Sequence, residues 1–111
     1  MQHRLYRNPA SRGRAMFPLI VDLMADGVEW SERIVAPLTP QAGGSQAGRS
    51  RATLRPGNKA LPAVTLDGVP YLVMLTMLGT VPERFLGTPL GSVAAWRDDI
   101  TRALDWLFWG V

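Results

Sequence analysis

The C-terminal end of the sequence constrains the fold most, because its apolar residues recur at the spacing of an α-helix. They are Val93, Trp96, Ile100, Ala103, Leu104, Leu107 and Val111. At roughly 100° per residue they fall within an arc about 100° wide, which is the face that a surface helix buries. Trp109 projects about 160–180° away from the centre of that face, beside Arg102, Asp105 and Trp106. The pattern predicts a helix over residues 92–109 with a tryptophan on its outer side.

This outward tryptophan has two interpretations. In the first, a loop or a second subunit covers it, as is usual for an exposed apolar patch. In the second, the C-terminus docks into a partner. The start of the helix is predicted at Gly91 or Ser92, which are plausible N-caps, and Asp98 and Asp99 then lie where the helix dipole favours negative charge.

Size and composition predict one domain spanning residues 1–111. The hydrophobic fraction of 47% and the charged fraction of 19% are sufficient for a folded core. The chain has no cysteine, which excludes disulfides and thiolate metal sites. The apolar run Met16–Leu23 is interrupted by Pro18 and Asp22, is too short to span a bilayer, and does not resemble a signal peptide. We therefore expect a soluble, cytoplasmic protein.

Alternating and β-branched residues upstream of the helix predict several strands. Three of these predicted strands cover Gln2–Tyr6, Phe17–Met24 and Arg33–Leu38. A hairpin follows, in which Ala63–Leu66 and Tyr71–Leu75 flank the turn signal Asp67-Gly68.

The connections complete the predicted architecture. Residues 39–59 are basic and rich in glycine and proline, which predicts a flexible loop. Residues 76–89 are predicted to be irregular, with at most one short helical turn. The sequence therefore predicts a small, mainly antiparallel β domain with one C-terminal helix.

Arginine supplies eleven of the twelve basic residues, and the net charge is +3. Two clusters stand out, at Arg4, Arg7, Arg12 and Arg14 and at Arg49, Arg51, Arg55 and Lys59. Such clusters favour an acidic partner, either nucleic acid or an acidic peptide, although a solvated basic surface has the same composition. Because no aromatic residues are interleaved with them, a module that reads base sequence is disfavoured.

Few residues in the sequence are typical of catalysis. His3 is the only histidine and lies in a predicted strand, so neither a histidine metal cluster nor a histidine-based nucleophile pair is expected. Asp98 and Asp99 point about 100° apart on a helix, which argues against a shared acid–base role. Gly43-Gly44 lacks the lysine of a phosphate-binding loop. We predict no catalytic residue and no cofactor, while metal-free ribonuclease chemistry stays open.

Several segments, in order and spacing, resemble the CcdB family of toxins. The C-terminal Leu107–Val111 is similar to the family's C-terminus, where Phe-Trp-Gly-Ile is typical of the founding member. The other matching segments are Met1-Gln2 with Tyr6, Phe17–Leu23 followed by Asp26, Arg33–Leu38, Leu61–Val64 leading into Asp67-Gly68, and Met77 with Val81-Pro82. The resemblance covers nearly the whole chain.

The resemblance implies a small antiparallel SH3-like barrel or sheet with a C-terminal helix, assembled as a homodimer. CcdB toxins are not enzymes; they bind the A subunits of DNA gyrase and trap the gyrase–DNA cleavage complex. Carried over by position, the gyrase contacts are Phe108, Trp109, Gly110, Val111, Asp105 and the turn residues Gly27 and Val28. The family's tryptophan stacks on a gyrase arginine, which suits an exposed indole face.

The resemblance also implies a CcdA-like antitoxin, which wraps the toxin with a disordered and partly acidic segment. Arg7, Arg12 and Arg14 are the candidate antitoxin-binding residues, because clustered arginines attract such a segment. DNA is then contacted only through gyrase or the antitoxin complex. No membrane partner is expected.

This sequence departs from the founding toxin at three places. Residues 39–59 are longer and richer in glycine and proline, Gly27 replaces a bulky apolar residue, and Asp105 replaces a neutral amide. Asp105 places a negative charge beside the C-terminal residues 108–111. The resemblance implies that this charge weakens gyrase binding or adapts it to another gyrase. Two alternatives stay open: an endoribonuclease of the MazF type, which shares this fold, and a non-toxic protein that binds antitoxin as a co-repressor.

Overall fold

A seven-stranded sheet and one α-helix make up the computed structural model, which describes residues 1–41 and 59–110. The strands are β1 (Arg4–Arg7), β2 (Leu19–Asp22), β3 (Glu32–Pro40), β4 (Ala63–Leu66), β5 (Val69–Val73), β6 (Gly79–Pro82) and β7 (Gly91–Ser92). All pairings are antiparallel, in the order β4-β5-β3-β2-β1-β7, with β6 on β3 beside this path. The predicted mainly antiparallel β fold with a C-terminal helix is confirmed.

Strand β3 organises the sheet because it is long enough for three partners. One edge pairs with β2, and the other pairs with β6 near Glu32–Val35 and with β5 near Leu38–Pro40. The predicted strand Arg33–Leu38 is therefore confirmed and extended at both ends. Thr39 and Pro40, assigned from sequence to a flexible loop, belong to β3; residues 42–58 of that predicted loop lie outside the described residues.

The region predicted to be irregular, residues 76–89, contains strand β6 and a 3₁₀ turn at Glu83–Phe85. Another 3₁₀ turn, Leu75–Met77, overlaps its start. The prediction was wrong because β6 is short and contains Gly79 and Pro82, so its local pattern carries no strand signal. Its pairing depends instead on β3, far away in the sequence.

The hairpin of β4 and β5 follows the prediction closely. Asp67 and Gly68 have φ angles of 50° and 78°, both left-handed, as a two-residue type I′ turn requires. Strand β5 begins at Val69, two residues earlier than predicted. The predicted strand Phe17–Met24 is also present, with pairing confined to Leu19–Asp22.

The predicted first strand, Gln2–Tyr6, begins at Arg4, and His3 lies in a turn with a φ of 67°. The placement of His3 in a strand was therefore wrong. The Arg4 N–H donates to Met1 O at 3.2 Å and closes the turn, while the His3 N–H donates to Asp22 O on β2 at 2.6 Å. Burial lowers the pKa of the His3 imidazole, and the charge of Arg97 lowers it further.

Helix α1 spans Arg97–Trp109, after a 3₁₀ turn at Ala94–Trp96. The predicted start at residue 92 and the N-cap at Gly91 or Ser92 were wrong, because these two residues pair with β1 as strand β7. The Ser92 hydroxyl instead accepts the Ala94 N–H at 3.0 Å, just before the 3₁₀ turn. Asp98 and Asp99 lie in the first turn of α1 as expected.

The inner face of α1 packs on the main core of the sheet. Val93, Ile100 and Ala103 are buried there, and Trp96, Leu104 and Leu107 are half-buried against the same core. The predicted apolar stripe is therefore confirmed for every member except Val111, which lies outside the described residues. In the part of the chain that the structure describes, no helix has the length and apolar character to cross a membrane.

Candidate functional site

The last turn of α1 presents three large aromatic side chains to solvent. Trp109 is 77% exposed, Phe108 62% and Trp106 40%. Gly110 ends the helix in the left-handed conformation, with a φ of 74°, and its N–H donates to Trp106 O at 2.9 Å. We call Asp105 and residues 108–110 the tail. Because Leu104 and Leu107 anchor the same turns on the core, the tail is exposed on a fixed base.

The exposure of Trp109 agrees with the position predicted from helical spacing. An indole held in this way offers a flat face to a cation or to another aromatic ring. Asp105 is also exposed, and it forms no ion pair with any residue of ranges 1–41 and 59–110. The tail therefore combines an apolar face with one uncompensated negative charge.

Trp106 differs from Trp109 because a cation already covers it. The Lys59 Nζ lies 4.4 Å from the centroid of the Trp106 ring. The sequence grouped Lys59 with the second arginine cluster, whereas the structure places it against α1. No sequence spacing predicts this contact, since the two residues are 47 positions apart in the chain.

The second predicted contact set, Gly27 and Val28, lies in the connection between β2 and β3. Val28 is 48% exposed, and its N–H donates to Ala25 O at 3.2 Å. A Cβ added to Gly27 would meet nothing within 4 Å. A side chain is therefore sterically permitted at Gly27, and its absence leaves the surface of this turn open.

A buried ion pair holds the base of this turn. Asp22 is fully buried and Arg33 nearly so, with Arg33 Nε 2.9 Å from Asp22 Oδ2. Arg33 Nη2 also donates to Met24 O at 2.7 Å, and Asp22 Oδ1 accepts the Met24 N–H at 3.0 Å. The hydrogen bond to Asp22 raises the pKa of the Arg33 guanidinium, so this group stays charged.

Asp26 connects the turn to the start of the chain. Its Oδ1 lies 3.7 Å from Arg33 Nη2 and accepts the Gln2 N–H at 2.8 Å. The Gln2 side chain donates to Leu23 O at 3.1 Å. Sequence reasoning missed this network. Asp22 within an apolar strand was nevertheless a usable signal, since a buried carboxylate requires a partner.

The structure does not join the tail to the Gly27–Val28 turn through polar contacts. Across residues 1–41 and 59–110, no hydrogen bond or ion pair connects them. Each surface is instead fixed separately, the tail by the core under α1 and the turn by the Asp22–Arg33 pair.

The candidate antitoxin-binding arginines lie around the first connection. Arg7 and Arg14 line a groove of about 460 Å³ together with Asn8, Pro9, Phe85 and Gly87, which we call the arginine groove. Arg14 is fixed by bonds from Nε to Asn8 O at 2.6 Å and from Nη2 to Pro9 O at 3.4 Å. Arg12 is exposed on the neighbouring 3₁₀ turn but does not line the groove.

The arginine groove combines positive charge with an exposed ring. Phe85 is 57% exposed, and the Arg84 guanidinium lies 4.8 Å from its centroid. None of the groove's lining residues is acidic. The surface is therefore chemically suited to an anionic segment that also carries apolar side chains.

Among the described residues, no three histidine, cysteine, aspartate or glutamate side chains lie close enough together to hold a metal ion. Comparison with known protein families gives one finding. The model of the CcdB protein family matches residues 2–110, nearly the full length of the chain. None of the curated proteins shows significant similarity to this sequence.

Proposed function

Because the chain belongs to the CcdB family, the toxins of toxin–antitoxin pairs, we propose that it poisons DNA gyrase. In this proposal the tail binds the gyrase A subunit while DNA is cleaved, and it stabilises the cleavage complex. The protein acts as a homodimer in the cytoplasm and contacts DNA only through gyrase or through an antitoxin complex. It has no catalytic activity of its own.

The exposed indole of Trp109 is the observation that carries this proposal. Moving an indole from water into an apolar or cationic socket releases the free energy that makes tryptophan a frequent hot spot in interfaces. Phe108 adds apolar area, and Gly110 keeps the end of the chain narrow. The Gly27–Val28 turn supplies the second contact set, held in place by the Asp22–Arg33 pair.

Purified gyrase tests the proposal directly. Supercoiled plasmid, gyrase, ATP and the wild-type protein should yield linear DNA after detergent and protease treatment, because trapped double-strand breaks are released. Trp109→Ala should lose this product, since interface hot spots contribute about 2 kcal/mol or more, roughly thirtyfold in affinity. Leu90→Ala is a matched control, because Leu90 is 60% exposed but lies outside both contact sets.

The same protein preparations distinguish the alternatives. A MazF-type endoribonuclease would cleave RNA in the absence of gyrase and would not respond to Trp109→Ala. A non-toxic co-repressor would produce neither linear DNA nor cleaved RNA, yet would still bind its antitoxin. Linear DNA from wild type and Trp109→Ala in equal amounts would contradict the assignment of the tail as the gyrase-binding surface.

We also propose that a CcdA-like antitoxin binds the arginine groove through an acidic segment. Replacing Arg7, which lines the groove, and Arg12, which lies beside it, by glutamate should weaken antitoxin binding at least tenfold, because both side chains are exposed and their charges are reversed. Arg97→Glu reverses an exposed charge at the start of α1 and serves as the control. Titration calorimetry at two salt concentrations measures the effect. Equal losses for the double variant and the control would contradict this site.

A further inference from the structure

The outer edge of strand β4 has main-chain groups available for another strand. β4 ends the sheet, and β5 is its partner on the inner side. The Val73 N–H donates to Pro62 O at 2.9 Å, so the alternation of an antiparallel ladder directs Val64 and Leu66 toward β5. The N–H and C=O groups of Ala63 and Thr65 therefore point outward, and within residues 1–41 and 59–110 nothing bonds to them.

A trough of about 490 Å³ lies beside this edge, between β4 and α1. Its lining residues are Lys59, Pro62, Ala63, Asp99, Arg102, Ala103 and Trp106. Two cations and one carboxylate give it a net charge of +1, and the Arg102–Asp99 pair is loose, at 3.9 Å between exposed side chains. Proline, alanine and the Trp106 ring supply apolar surface. The trough therefore combines apolar surface with positive charge. It runs along the edge of β4, whose outward main-chain groups have no partner among the described residues.

We propose that an extended acidic segment of another protein adds to β4 as an antiparallel strand and occupies this trough. Its main chain pairs with the outward groups of Ala63 and Thr65. Its alternate side chains face α1, where a carboxylate lies near Lys59 and Arg102 and an apolar side chain packs on Trp106. This surface is distinct from the tail and from the arginine groove, so the inference goes beyond the proposed function.

Charge and edge geometry together determine the chemistry of the occupant. Main-chain pairing alone accepts any extended segment, including a second copy of β4. The net positive charge of the trough selects an acidic segment and disfavours a second copy, which would bring another Lys59 and Arg102 to the same place.

Two blocked seven-residue peptides test the proposal on the full-length protein. One, Glu-Thr-Val-Thr-Glu-Thr-Val, places glutamate and valine in turn on the same face of the strand, and the other has lysine at both glutamate positions. In ¹⁵N NMR titrations the glutamate peptide should shift the amides of Ala63 and Thr65 and the indole N–H of Trp106, and should bind at least tenfold more tightly than the lysine peptide. Amide hydrogen exchange at Ala63 and Thr65 should slow on binding, because both N–H groups become hydrogen-bonded.

Two sets of substitutions test main-chain pairing at the edge of β4 and the positive charge of the trough separately. Thr65→Pro removes an outward N–H that has no acceptor among residues 1–41 and 59–110, and proline is tolerated at such edge positions, so folding should persist while peptide binding falls at least tenfold. Lys59→Gln with Arg102→Gln should abolish the preference for glutamate over lysine, whereas Arg97→Gln, outside the trough, should not. Trapping of gyrase cleavage by Thr65→Pro should match wild type, which separates this site from the proposed function.

The following results would overturn the proposal: no binding, equal binding of the two peptides, or shifts confined to residues outside β4 and α1. Self-association that Thr65→Pro abolishes would show instead that a second copy occupies the edge. Sedimentation velocity across protein concentrations measures that outcome.

Discussion

Replacing Arg33 by methionine should lower the free energy of unfolding by about 3–5 kcal/mol, the range expected when one partner of a buried ion pair is removed. The substitution leaves the fully buried Asp22 carboxylate with only the exposed Met1 amino group as a cationic partner, 3.4 Å from Oδ2, and Met24 O loses its donor. Small domains have only about 5–15 kcal/mol of stability in total, so the variant should unfold at a markedly lower denaturant concentration. Chemical denaturation followed by circular dichroism measures the difference.

Arg102→Met is the matched control for that prediction. It removes the same chemical group from an exposed ion pair at 3.9 Å, for which the expected loss is about 0–1 kcal/mol. Combining Arg33→Met with Asp22→Asn should restore part of the stability, because the buried charge is gone and the amide oxygen still accepts the Met24 N–H. If Arg33→Met and Arg102→Met lowered the free energy of unfolding by the same small amount, the Asp22–Arg33 pair would not have the stabilising role assigned to it.

The Asp22–Arg33 pair also shows where sequence reasoning reaches its limit. Asp22 was recognised only as an interruption of an apolar run, and Arg33 only as the start of a strand. Their contact depends on the register of β2 against β3, in which Asp22 pairs with Val35. Register is a property of paired strands, so neither strand's own pattern contains it.

Local patterns were reliable where one element decides its own conformation. The 3.6-residue period placed the inner and outer faces of α1 correctly, and Asp67-Gly68 predicted a turn that needs two left-handed residues. Local patterns failed where residues pair with a strand that is distant in the sequence. Gly91 and Ser92 have the chemistry of helix caps, yet pairing with β1 makes them a strand and moves the helix start to Arg97.

The features of the candidate site also divide into those that local sequence predicts and those that depend on the tertiary fold. Exposure of Trp109 followed from the helical period alone, because each residue's direction on a helix is fixed by its number. The Lys59–Trp106 contact and the grouping of Phe85 with Arg7 and Arg14 required the tertiary fold. Sequence reasoning therefore identified the tail as an exposed surface. It did not identify the trough between β4 and α1 or the arginine groove.

Deleting residues 109–111 should abolish growth inhibition while leaving the fold nearly as stable as wild type. Trp109 is 77% exposed, so its removal costs little buried area. The deletion also removes the hydrogen bond from Gly110 N–H to Trp106 O, for which about 0.5–1.5 kcal/mol is expected. Induction of the variant from a regulated promoter, with colony counts, measures toxicity, and thermal unfolding measures stability.

Two controls make this test specific to the tail. Leu90→Ala removes an exposed apolar side chain elsewhere and should remain toxic, so general loss of surface hydrophobicity is excluded. Antitoxin binding by the deletion variant should stay within about threefold of wild type, because the arginine groove includes no residue of α1. Since the core contacts of Ile100 and Ala103 remain intact, a non-toxic but folded variant assigns the loss to partner docking. Full toxicity of the deletion variant would show that Trp109 and the residues after it are not needed for gyrase poisoning.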